Sequence, residues 1–426
     1  MKHSPLQLLP GPARILAAWP AKVPLAALWQ GRGEGRFMLG VAGRSTTART
    51  DRQLDEVLTA ICEPAGKPGS FGTGWLGWIS YDAGRCIEPA LGARRSDPDR
   101  AWPFAAFRRV DAALWFERGE WRIHGDEGLL PLEQLLAAED GSDPGFRLGT
   151  IQSGTGRDGF LHQVERALEY IRAGDIYQVN LAHRLTCTFS GSARSLFTEL
   201  VTAARPWHGG FFESESGEAI CSVSPELFLE FDPATRVVST RPMKGTRAVT
   251  GSNAAAARHD LEASAKDRAE LAMIVDLMRN DLGRVCELGS VRVENERDFE
   301  RHDSGVLQTT ATVRGRLRQS KGLGDLLRGA FPPGSVTGAP KVRAMQIIEE
   351  LEPFSRGPYC GSMIWIGDDG RMHANVLIRS ACISRIGSDQ QMLDYCVGAG
   401  IVSDSDPRAE WEETMVKAGI LTRLRH

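Results

Sequence analysis

The hydrophobic positions of this chain change period several times, and each change marks an element. After residue 158 the apolar side chains Phe160, Val164, Leu168 and Ile171 recur every three or four positions, the spacing that gathers them on one face of a helix. Asp158 stands ahead of them as an N-cap and Gly174 behind them as the residue that ends the helix. Over residues 176–185 the period falls to two. Tyr177, Val179, Leu181 and Leu185 face one way and Gln178, Asn180 and Arg184 the other, which predicts a strand with a polar face. Two apolar runs at 114–117 and 120–123, joined by Arg118-Gly119, predict a β-hairpin. So do 227–231 and 236–240, joined through Asp232-Pro233, and the second of these strands leads Lys244 into a following loop. Residues 261–282 are apolar nearly all round and predict one long buried helix.

Strands and helices come in blocks without a regular βαβ alternation, which predicts an α+β fold with large antiparallel sheets. The stretch 139–145 is polar and rich in breakers, so the chain divides near residue 146. Residues 1–145 form a mostly β lobe, rich in glycine and tryptophan as at 74–82, and residues 146–426 form a second domain. At 426 residues the chain exceeds the roughly 250–300 at which one hydrophobic core stops growing, so it can bury a closed site.

Composition narrows the function classes. A formal net charge of −3 with 25% charged residues makes no field strong enough to collect nucleic acid or anionic lipid, so an anionic ligand must be held by local groups. Eight scattered cysteines without a Cys-x-x-Cys pair suit a reducing compartment in a chain too large to need disulfides. The start of the chain lacks an apolar signal core, and no run of about 20 apolar residues could span a bilayer. The expectation is a soluble cytoplasmic protein.

Candidate chemistry concentrates toward the end of the chain. Glu270 shares a helix face with Ile274 and Leu277, and a carboxylate on such a face needs a partner: a nearby arginine, or a metal ion. Asp406-Pro407 opens another helix with aspartate as N-cap and proline at the first position. Glu410 and Glu413 project from its first turns, although Glu413 and Lys417 also have the spacing of a solvated ion pair. Carboxylates from two helices suit Mg²⁺, which takes few protein oxygens and leaves positions for an anionic substrate.

Residues 334–341 (Gly-Ser-Val-Thr-Gly-Ala-Pro-Lys) run into a helix start, where backbone N–H groups favour an anion. The spacing does not match a nucleotide-binding phosphate loop, and a glycine turn without a ligand is the alternative. Gly398-Ala399-Gly400 after a strand-like run is a weaker sign of the same kind, and Arg379 in another strand-like run could clamp a carboxylate. Lys244, flanked by small residues, could expose an amine to a cavity as a nucleophile. Glu226 could be a general acid or a hydrogen-bonded carboxylate at a strand end.

In order along the chain, Gly174-Asp175-Ile176-Tyr177-Gln178-Val179-Asn180-Leu181, Ser224-Pro225-Glu226, Lys266-Asp267-Arg268-Ala269-Glu270, Arg279-Asn280-Asp281-Leu282-Gly283-Arg284, residues 334–341 and residues 398–405 resemble the chorismate-utilising enzymes. The resemblance is dense from about residue 156 to 418 and thinner at 75–82. It implies two interleaved lobes around antiparallel sheets packed orthogonally, with helices outside. It also implies Mg²⁺ on Glu270, Glu410 and Glu413, orienting the ring carboxylate of chorismate. Glu226 would protonate the departing C4 hydroxyl while Lys244 adds at C2. Arg379, Thr337, Gly338, Lys341 and the Gly398, Ala399 and Gly400 loop would bind the substrate's other carboxylate.

Within that family Lys244 points to the branch that aminates C4, since anthranilate-forming members usually carry alanine there. Gln178 agrees, because isochorismate and salicylate synthases place a water-activating lysine in that strand. Gln308 stands where anthranilate synthases, and some members of the C4-aminating branch, have histidine. The resemblance thus implies formation of 4-amino-4-deoxychorismate for 4-aminobenzoate and folate synthesis. The ammonia would come from a glutamine amidotransferase partner, since no cysteine–histidine glutaminase signature is evident. Anthranilate formation is the alternative, and a chorismate-binding or amidotransferase-docking protein without catalysis is a third possibility.

Overall fold

The computed structural model describes residues 6, 9–30, 35–63, 72–92, 100–137, 144–249, 253–302, 305–386 and 390–424. Its strands join into two antiparallel runs that share the strand Ala105–Glu117. One run passes from that strand through Arg36–Ala48, Leu25–Gln30, Gly210–Glu213, Ala219–Ser222, Ser380–Ile386 and Gln390–Ile401 to Gln178–Gly191. The other passes through Gly74–Ile79, Ser362–Gly367, Met372–Asn375, Leu227–Asp232 and Val237–Arg241 to Val306–Arg316. The expected α+β class with large antiparallel sheets is what forms.

The Arg118-Gly119 hairpin has the expected register, Glu117 opposite Glu120, with both turn residues at positive φ, as a tight primed turn requires. The hairpin at 227–240 also forms. Strands on either side of the proposed division pair with one another: Leu25–Gln30 with Gly210–Glu213, and Gly74–Ile79 with Ser362–Gly367. Residues 139–143 of the breaker-rich stretch that suggested the division lie outside the described residues.

Three local expectations are corrected. The helix Gly156–Arg172 starts before Asp158, which lies in its first turn without capping it. The run 261–282 is two helices, Ala254–Ala263 and Ala265–Gly283, divided at Ser264, whose hydroxyl accepts from Asp267 N as a new N-cap. The second helix is amphipathic: Leu271, Ile274, Met278 and Leu282 enter the core while Arg268, Asp276 and Arg279 stay exposed. Lys244 lies in no loop, because Met243–Ala248 is a strand that continues the ladder on Val306–Arg316 with Lys244 opposite Thr309.

Candidate active site

Toward the far ends of the two runs, Gln390–Ile401 from one and Met243–Ala248, paired to Val306–Arg316, from the other contribute to one cavity with the helices Ala265–Gly283 and Pro407–Thr422. This cavity of about 500 Å³ lies between these elements, a size suited to a small molecule. Glu226, Lys244, Glu270, Arg379, Gly398, Gly400, Glu410 and Glu413 all line it.

Lys244 reaches it because the ladder slips between Lys244 and Thr246 at Gly245, whose φ is +68°. A side chain at Gly245 would meet the Asp267 carboxyl at about 3 Å, so this bulge also lets the strand close on the first turn of Ala265–Gly283. The Lys244 ammonium stands 3.8 Å from Glu270 Oε2, and both side chains are largely buried. Thr309 donates its hydroxyl to the Lys244 carbonyl. A Cβ on Gly400 would come within 2.9 Å of Lys244 Nζ and 2.7 Å of Gln178 Nε2. Absence of a side chain there makes the amine's space.

Glu226 precedes the strand Leu227–Asp232 and is 4% exposed. Burial pushes its carboxyl from an ordinary 4.5 up to about 7, against the opposing pull of a Ser335 hydrogen bond and the Lys244 charge. A carboxyl so placed keeps a proton to give near neutral pH.

The three glutamates each face a lysine. Glu270 has Lys244; Glu410 Oε1 accepts from Ser405 Oγ at 2.6 Å and from Lys266 Nζ at 3.4 Å; Glu413 pairs with Lys417 at 2.7 Å. Lys417 also donates to the Gly398 carbonyl at 2.8 Å, so the lysine fastens the helix to the glycine strand, while the Glu413 side chain stays 55% exposed as in a solvated pair. Burial raises the Glu270 carboxyl, with Lys244 and Lys266 opposing. For Glu413 burial acts upward, but Lys417, Lys244 and Lys266 together outweigh it and hold the carboxyl below its ordinary value. Among the described residues no three acidic, histidine or cysteine side chains are gathered as a metal-holding group. Three hard oxygen donors on one cavity fit Mg²⁺ in kind, and gathering them on an ion requires the lysine ammonium groups to give way.

Arg379 lies between strands at φ +50° and not in one, a correction to the strand-like expectation. Burial presses its guanidinium below the ordinary value, Tyr395 acting the other way. Buried polar atoms around the cavity also lack a hydrogen-bond partner: Asn180 Nδ2, Gln178 Oε1, Gln308 Oε1 and Tyr395 Oη. Such atoms cost free energy unless a polar ligand meets them.

Four expected substrate ligands lie elsewhere. Lys341 is 8% exposed, and its ammonium is spent on Asp281 at 2.6 Å and on the carbonyls of Ala330 and Pro332 at 2.9 Å. It pins the start of the helix Lys341–Leu351 and does not line the cavity. Thr337 and Gly338 close onto the strand Gln178–Gly191, where Asn180 N donates to Thr337 O and Gly338 sits opposite Val179. Their neighbours Ser335 and Val336 line the cavity instead. Ala399 turns into the core while Gly398 and Gly400 face the cavity, as the period of two requires. Ser335, Asn180, Lys266, Tyr359 and Tyr395 were not singled out as site residues. Asn180 carried a signal in its place on the polar face of its strand, and Ser335 and Lys266 in the short runs that contain them.

The chain belongs to the chorismate binding enzyme family, whose profile matches residues 26–423. It is 38% identical over 361 residues to aminodeoxychorismate synthase component 1 of Klebsiella aerogenes, covering 83% of this chain and 76% of that one. It is 36% identical over 376 residues to anthranilate synthase component 1 1 of Haloarcula marismortui, covering 82% and 75%. Among solved structures, anthranilate synthase component I of Streptococcus pneumoniae superposes with a TM-score of 0.77 at 26% identity over 94% of this chain and 90% of that one.

Proposed function

We propose that this chain converts chorismate and ammonia to 4-amino-4-deoxychorismate through a covalent adduct on Lys244. The observation that carries this is an amine at the floor of the cavity, 3.8 Å from Glu270 and directly over Gly400. In this reading the Lys244 amine gives up a proton and forms a bond to C2 as the two conjugated ring double bonds shift and the C4–O bond breaks. Glu226 gives its proton to that oxygen, which leaves as water. Ammonia then bonds to C4 and gives up a proton, the two double bonds shift back, and the lysine leaves C2 with a proton returned to it. The enolpyruvyl group is retained throughout. Arg379 and the amides beside Gly398 and Gly400 would hold a substrate carboxylate. Glu270, Glu410 and Glu413 would hold Mg²⁺, which when bound would supply positive charge against the ring carboxylate. A glutamine amidotransferase would supply the ammonia, and a lyase would release pyruvate in a later step.

Mass spectrometry of products from the purified chain with chorismate, Mg²⁺ and ammonium tests the reading. The expected product keeps the enolpyruvyl group and yields 4-aminobenzoate only after a pyruvate-releasing lyase is added. Direct appearance of anthranilate and pyruvate would overturn it in favour of the chemistry named for the Haloarcula relative. Lys244→Ala is expected to cut the amination rate by roughly 10²-fold or more without unfolding the chain, and full activity in that variant would remove the lysine from the mechanism.

A further inference from the structure

Behind the cavity lies a charge pair that the proposed chemistry does not use. Glu352 and Arg356 follow the helix Lys341–Leu351, and each side chain is 1% exposed. Burying two charges is costly unless every polar atom finds a partner, and here the partners are the backbones of the cavity walls. Arg356 grips Glu352 with Nε at 2.8 Å and Nη2 at 2.6 Å. It also donates from Nη2 to the Asn180 carbonyl at 2.6 Å and from Nη1 to the Val336 carbonyl at 2.9 Å. Glu352 Oε1 accepts from Ala182 N at 2.8 Å. The guanidinium lies 4.6 Å from the Tyr81 ring centre and 5.8 Å from that of Tyr359.

Asn180 and Ala182 are the cross-strand partners of Gly400 and Gly398. Val336 follows Ser335, which lines the cavity beside Glu226 and whose hydroxyl favours the ionised form of that carboxyl. One guanidinium therefore ties the strand that backs the glycine wall to the turn that serves the acid. We infer that the Glu352–Arg356 pair is a positioning device, setting the distance between the glycine wall and the Ser335 turn and so holding Glu226 against the substrate. A planar fork suits this work and an ammonium does not, because one nitrogen cannot reach Glu352 and two carbonyls in fixed directions. The inference rests on Glu226 acting as the acid.

Arg356→Lys keeps the charge and removes the fork. In the full-length chain, followed by chorismate consumption, kcat is expected to fall roughly 10- to 100-fold with KM changed little. Glu226 works protonated, so kcat/KM falls as pH rises through its value near 7. The groups acting on it are the Ser335 hydroxyl and Lys244, and the Cys360 thiol lies within its field. Loosening the Ser335 bond removes a group that favours the carboxylate, so this limb should move to higher pH by about half a unit to one unit.

Ser335→Ala should give the same displacement, and the double variant no more than either alone. Should Arg356→Lys fail to fold, Glu352→Gln, which frees the guanidinium from its anchor, is read in the same way. A lower Tm with the limb unmoved, or displacements that add in the double variant, would overturn the inference. The limb is read whatever the product is: anthranilate would overturn the product assignment and still leave the limb to judge the pair.

Discussion

Glu226 holds its proton more tightly in the folded chain than it would in the unfolded one, since burial lifts its carboxyl from 4.5 to about 7. Linkage gives the sign. Below pH 4.5 the group is protonated in both states and folding is not penalised; as pH rises through 7 the folded state must either ionise it in a poor environment or withhold the charge, and stability is lost. The loss reaches about 3 kcal/mol at most, at 1.36 kcal/mol per unit. Glu226→Gln should therefore be more stable than the parent at pH 8 and equally stable at pH 4, by urea titration at each pH, while its chorismate turnover collapses. A stability difference of the same size at both pH values would contradict this. Removal of the cost in a variant that cannot work is the pattern expected where a carboxyl is held out of water for a task.

At the scale of elements, the strand Gln390–Ile401 makes two different demands through its glycines. A methyl at position 398 would lie 2.6 Å from the Leu181 carbonyl, a backbone atom of the adjacent strand, whereas at 400 it meets only the tips of Gln178 and Lys244. Gly398→Ala is expected to destabilise the chain by about 1–3 kcal/mol. Gly400→Ala should leave the Tm nearly unchanged but displace the amine and depress turnover; equal losses of Tm would contradict the difference. The helix Lys341–Leu351 carries the other test. Lys341→Met abandons Asp281 inside the protein, and breaking such a pair costs about 3–5 kcal/mol. Asp281→Leu in the same chain should recover much of that. If Lys341→Met kept its stability and raised KM for chorismate alone, the lysine would be a substrate ligand after all.

For the whole molecule, the pairing of Leu25–Gln30 with Gly210–Glu213 and of Gly74–Ile79 with Ser362–Gly367 makes the first 145 residues part of the same sheets as the rest. Residues 146–426 expressed alone would carry two unpaired strand edges. They should give no cooperative thermal transition unless residues 1–145 are supplied in trans; a cooperative, active fragment would show that the paired strands are dispensable. No helix among the described residues is long and apolar enough to cross a membrane, and all eight cysteines are free.

Signals confined to a few neighbouring residues were legible in advance. The Arg118-Gly119 turn, the Asp406 cap with its proline, Gly174 ending a helix, and the candidates Glu226, Lys244, Glu270, Arg379, Glu410 and Glu413 all depend on local geometry or on an ordered series of short runs. The turn and the caps form, and the six candidates line one cavity. Lys341, Thr337, Gly338 and Ala399 were placed in the site by the same runs, and they do not line that cavity. A period states which residues share a face but not what stands opposite that face. Only the folded chain brings Asp281 to Lys341, turns Ala399 toward the core, and sets Ser335 against Glu226. Those partners are 60 to over 100 residues distant in sequence, and burial, which decides whether a charge must be paired, exists only once they have met.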